Sequence, residues 1–131
     1  MKGEKIMFVS IFFAVLTPFI IALSGKILYK NSECDINNTF GYRTSRSMSS
    51  RDSWIFANKL CGKILFYGGI AAAVISVCAV FFAYVILGAE AAFLTSVIVN
   101  ILTAAMVIVI IPYVEGRLKK FLAKEIENDK N

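Results

Sequence analysis

The sequence predicts an all-α membrane protein of three transmembrane helices, with a cytoplasmic linker that contains a short interfacial helix. Residues 6–25, 64–89 and 91–114 form runs without a charged side chain. A run of about 20 apolar residues, rising about 1.5 Å each, crosses a hydrocarbon core of roughly 30 Å. The chain is 58% hydrophobic, against about 45–50% for an ordinary soluble domain, and its mean hydropathy is +0.71. The basic residues are also sorted by side.

Lys2 and Lys5 precede the first run, and Lys26, Lys30, Arg43, Arg46, Arg51, Lys59 and Lys63 lie between the first and second. The link between the second and third runs has none, while Arg117, Lys119, Lys120, Lys124 and Lys130 follow the third. Three crossings with the N-terminus outside therefore place the linker, 26–63, and the tail, 115–131, in the cytoplasm, as the positive-inside rule requires. The net charge of +5 suits an anionic leaflet, so the expected partner is the lipid bilayer and not nucleic acid. Lys2, Lys5, the apolar stretch and Ala22-Leu23-Ser24 before Gly25 resemble a signal peptide with its small-residue cleavage site. Cleavage there would reverse the charge rule, so the first run is read as a retained helix. Residues 1–131 form one membrane domain with spans at 6–25, 64–87 and 91–114.

Pro18 stands inside the first span and predicts a kink there, because it removes a backbone donor. Lys26 to Lys30 suit the headgroup layer, where lysine stems snorkel. Gly88, Ala89 and Glu90 alone join the second and third spans, which must form a tight antiparallel hairpin. Small residues recur on both: Gly68, Ala72, Ser76, Ala79 and Ala83, then Ala92, Ser96, Asn100 and Ala104. Such faces let helix backbones approach in lipid. Asn100 is the only amide deep in a span and needs a partner. Two readings stay open, a structural bond to Ser76, Ser96 or a nearby carbonyl, and a place in a polar pathway. The spans hold no Asp, Glu, Lys or Arg, which argues against a proton relay.

In the linker, residues 31–50 are rich in Asn, Ser, Thr and Gly and favour turns. Ser50 can cap a helix and Asp52 can sit at its positive end. Trp54, Ile55, Ala57, Leu60 and Cys61 then read as a short amphipathic helix at the interface, with Trp54 at headgroup depth, leading through Gly62 into the second span. Leu118, Phe121, Leu122 and Ile126 form an apolar strip in the tail, expected as an interfacial or solvated helix end. With no His and three separate Cys, no metal site, cofactor or disulfide is expected. No acid, base or nucleophile set stands out, and nothing near Cys61 in sequence activates it, so the chain reads as a non-enzyme.

One linker pattern is specific. Asn37, then Gly41-Tyr42-Arg43-Thr44, is followed ten residues on by Trp54, Ala57-Asn58 and Gly62. This resembles the signature of the SdpI family of small bacterial membrane proteins, placed between the same two spans. The resemblance implies a bacterial cell (inner) membrane location and immunity against a secreted, membrane-active peptide toxin. It also implies, as an alternative, a membrane scaffold that sequesters a cytoplasmic regulator. A small transporter or lipid-handling protein, working as a homo-oligomer, follows from Asn100 and the hairpin instead.

Physically, Gly41 allows a tight turn or a positive φ, and Tyr42 can anchor at the interface. Arg43 carries a planar five-donor fork suited to phosphate or to several carbonyls. Asn37 and Thr44 can close local hydrogen bonds, and Trp54 and Asn58, four apart, can pack back on the turn. The motif is thus either a compact cap over the helix ends or a surface for a headgroup, a toxin segment or a protein.

Overall fold

In hydrocarbon a backbone can satisfy its polar groups only within its own helix, so charge-free apolar runs become helices. The computed structural model describes residues 2–37 and 39–128, and Lys130 of the basic tail lies outside them. It contains α1 (Lys2–Lys30), α2 (Arg51–Leu87) and α3 (Ala89–Asn128), with no strand among the described residues. All three helices are long and apolar enough to cross a membrane, and each packs against the other two.

At 37 and 40 residues, α2 and α3 reach about 55 and 60 Å, well beyond a core of roughly 30 Å. Both excesses lie at one end of the bundle, where residues 51–63 of α2 meet the tail of α3. The other end holds the start of α1 and the Gly88 turn: a Cβ on Gly3 would stand 3.7 Å from the Tyr84 hydroxyl.

The separate interfacial helix expected in the linker is absent among the described residues. Its residues are the first turns of α2, which starts at its Ser50 cap as predicted and runs unbroken through Gly62. The reason is packing. A Cβ on Gly62 would lie 2.6 Å from the Tyr29 backbone nitrogen, and one on Gly25 would lie 2.7 Å from the Gly62 carbonyl. Two glycines at this crossing bring the backbones of α1 and α2 into contact, which holds α2 helical across a residue of poor helix propensity. The tail is likewise a continuation of α3. Leu118 is fully buried, and Phe121 stacks on Phe56 of α2 with ring centroids 4.5 Å apart. α1 continues through Pro18, which is buried.

The small-residue face of α3 is only partly as predicted. Ala92 and Ser96 are buried, but Ala104 is exposed and Thr103 is buried in its stead. A four-residue step advances about 40° beyond a full turn, so three steps carry Ala104 some 120° from Ala92, whereas an eleven-residue step returns within about 20°. Asn100 lies on this drifting edge and bonds to α1: its Nδ2 donates to the Phe13 carbonyl at 3.0 Å and to the Ser96 carbonyl at 2.7 Å. The bond to a neighbouring carbonyl is thus found, and it ties α3 to α1. Ser76 is buried in α2, and the Ser96 hydroxyl donates to the Phe93 carbonyl within α3.

Candidate functional site

The linker motif is built from the turn outward. Asn37 Oδ1 accepts the backbone N–H groups of Thr39 at 3.0 Å and Phe40 at 2.8 Å, and its Nδ2 donates to the Asp35 carbonyl. An Asn side chain doing the work of backbone acceptors makes a tight turn without secondary structure. Gly41 follows at φ +133°, and a Cβ there would stand 2.5 Å from the Trp54 ring. Both the backbone angle and the lack of space call for glycine.

Behind the turn, Asn58 uses both ends of its amide. Its Oδ1 accepts the Tyr42 N–H at 2.7 Å and its Nδ2 donates to the Trp54 carbonyl at 2.8 Å, four residues back in α2. Trp54 is 1% exposed. It is enclosed by protein, and its Nε1 has no acceptor among the described residues.

Tyr42 differs from its expected role as an interfacial anchor. Its ring is buried among Leu28, Ala57, Cys61, Ile110, Val114 and Leu118. Its hydroxyl reaches α3, donating to the Ile111 carbonyl at 3.1 Å and to Glu115 Oε1 at 3.2 Å. Burial, and then the neighbouring Glu115 carboxylate, push the phenol pKa well above its usual value. Glu115 also takes Arg46 at 2.9 Å. A hydrogen bond from Thr44 first, then those from Arg46 and Tyr42, hold its carboxyl below the usual range.

Thr44 and Ser47 close the loop on themselves. The Thr44 N–H donates to Ser47 Oγ at 2.8 Å, the Ser47 N–H to Thr44 Oγ1 at 3.2 Å, and the Ser47 hydroxyl to the Tyr42 carbonyl at 2.7 Å. Ser50 Oγ then accepts the Ser53 N–H at 3.1 Å as the helix cap. Exposed pairs of Arg51 with Asp35 and Lys59 with Glu33 hold the preceding connector against α2, though such pairs are individually weak.

The structure therefore brings together Asn37, Gly41, Tyr42, Thr44, Trp54, Ala57, Asn58 and Gly62 in one packed unit against α1 and α3. Asn100, Ser76 and Ser96 lie in the spans, apart from it. Arg43 is exposed and makes no hydrogen bond or ion pair among the described residues. Ser47, Arg46 and Glu115 belong to the unit but were not foreseen. Glu115 could have been found as the first charge after the third apolar run.

No group of three metal-ligating side chains comes together among the described residues. Burial pushes the Cys61 thiol up to about 11, which leaves it protonated at neutral pH and a poor nucleophile.

Residues 33–114, more than half of the chain, match the SdpI/YfhL protein family. The chain belongs to that family. Comparison with curated proteins and with solved structures gives no match. The SdpI/YfhL match starts in the linker at Glu33 and ends at Val114, so it takes in the whole motif, α2 and the apolar part of α3. Glu115, which receives the Tyr42 hydroxyl, is the next residue after it.

Proposed function

We propose that this SdpI/YfhL family membrane protein is a non-enzymatic immunity-like protein that protects a bacterial inner membrane from a membrane-active peptide, with Arg43 as its recognition group. One observation carries the reading. Asn37, Gly41, Tyr42 and Thr44 form the turn and Trp54, Ala57, Asn58 and Gly62 pack within the bundle, whereas Arg43 is exposed and makes no hydrogen bond or ion pair among the described residues. A guanidinium fork not engaged by its neighbours can take a phosphate or a set of peptide carbonyls through parallel hydrogen bonds. The charge distribution supports a cytoplasmic linker, so the contact would be made on the inner face, with a peptide that has inserted or with the lipid around it.

The test is survival of a sensitive host challenged with a secreted membrane-active peptide while expressing the chain or its Arg43→Ala variant at equal levels. Protection by the first and not the second supports immunity through the linker. Unchanged sensitivity with correct insertion overturns it. Capture of a soluble regulator would use the same outward arginine, and pull-down of a partner lost in Arg43→Ala, without protection, would put that reading in its place.

A further inference from the structure

The charge-free runs of α1 and α2 end at the same level of the bundle, since a Cβ on Gly25 would meet the carbonyl of Gly62 at 2.7 Å. Lys26 follows the first run and Lys63 precedes the second, so each is the first charge beyond its apolar run. Between them is a cleft of about 240 Å³ lined by Lys26, Tyr29, Gly62, Lys63, Phe66 and Tyr67.

The cleft has a distinct electrostatic character. No carboxylate lines it, and neither Lys26 nor Lys63 forms an ion pair among the described residues. One turn away Lys59 is neutralised by Glu33 at 2.7 Å. Lys63 is instead placed over the Tyr29 ring, 5.8 Å from its centroid, a contact that steers an ammonium group without cancelling its charge. On the hydrocarbon side, Tyr67, Ile70 and Val74 continue along one face of α2 and are 66%, 45% and 60% exposed.

We infer that this cleft binds the phosphodiester of an anionic glycerophospholipid, with Lys26 and Lys63 on the phosphate and the acyl chains along Tyr67, Ile70 and Val74. Two uncompensated cations match a headgroup of net negative charge, whereas a choline headgroup would bring a third cation to the same place. The apolar wall and the depth of the lysines select a lipid over free phosphate, which has nothing to lay against that wall.

The experiment is native mass spectrometry of the full chain in detergent, titrated with dioleoylphosphatidylglycerol, with dioleoylphosphatidylcholine and with inorganic phosphate as a competitor. Both lysines are exposed, so Lys26→Gln/Lys63→Gln leaves the packing intact, and Lys119→Gln/Lys120→Gln removes equal charge elsewhere. At about fivefold per lysine near an anionic surface, the first pair should weaken phosphatidylglycerol binding about thirtyfold, and the control pair less than about twofold. Equal binding of the two lipids, or equal loss in the two variants, overturns the site. Displacement of phosphatidylglycerol by millimolar phosphate overturns its assignment to lipid.

Discussion

Asn58 Oδ1 accepts the backbone N–H of Tyr42 at 2.7 Å, and this bond fastens the linker turn to α2. Asn58 is 1% exposed and Tyr42 is 8% exposed, so water cannot replace the acceptor. Asn58→Ala leaves a buried N–H unpaired and also frees the Trp54 carbonyl contact. The expected loss is about 1–3 kcal/mol of stability. Reversible unfolding in mixed micelles measures it, and a loss below about 0.5 kcal/mol would show that the turn is held by packing alone.

Gly62 and Gly68 are both glycines of α2, yet they predict opposite outcomes. A Cβ on Gly62 strikes backbone atoms of Tyr29 and Gly25, at 2.6 and 2.9 Å, whereas one on Gly68 meets only the flexible end of Met106, at 3.1 Å. Gly62→Ala should force α1 and α2 apart and cost about 1–3 kcal/mol. Gly68→Ala gains helix propensity and should stay within about 0.5 kcal/mol of the parent or above it. Thermal denaturation of the two variants side by side decides the point, because a general glycine effect would move both together.

The span cores, the Ser50 cap and the Gly88 hairpin were legible because each is a local signal: a charge-free run, a hydroxyl before a helix, a glycine between two runs. The continuity of α2 was not. Gly62 reads as a breaker in sequence, and only the backbone of α1 across from it makes it a packing residue. Trp54 on a short amphipathic stretch suggested the headgroup layer, since aromatic residues on interfacial helices commonly face lipid. Its true neighbour is a glycine thirteen positions earlier in a turn without secondary structure. The bonds from Tyr42 and Arg46 to α3 span 69 to 73 residues, and no local pattern announces a pairing at that distance. Within the motif, Gly41 and Asn37 were readable from backbone chemistry, while the separation of Arg43 from its packed neighbours required the fold.

Glu115 holds the linker to α3 through Tyr42 and Arg46, and its carboxyl lies below the ordinary value of 4.5. A folded-state pKa below the unfolded one contributes stability that is complete above about pH 4.5 and is lost as the pH falls through the folded value. Acid should therefore loosen the linker below that point. Trp54, the single tryptophan, packs on the same turn and reports it: its fluorescence should shift to the red as the pH falls below about 4.5. Glu33 is also lowered, by Lys59, but that pair is exposed and salt screens it. Glu115→Gln should abolish the salt-resistant part of the transition, and an unaltered curve in that variant would remove Glu115 from the latch.

The three cysteines sample three environments, which makes thiol labelling a test of both packing and side. Cys34 is exposed in the linker, Cys61 is buried, and Cys78 is exposed within the apolar run of α2. Maleimides attack thiolate. Burial pushes the Cys61 thiol up to about 11, so at pH 8 only on the order of a thousandth of it is ionised. Lipid would keep a water-soluble reagent from Cys78. A sulfonated maleimide should accordingly label Cys34 alone in the folded protein, and Cys34→Ser should abolish labelling. In intact cells the reagent should fail to reach Cys34 until the membrane is permeabilised, because twelve of fourteen basic residues favour the cytoplasmic side for the linker and tail. Labelling from outside would invert that topology and move the outward Arg43 to the face where a secreted peptide first arrives.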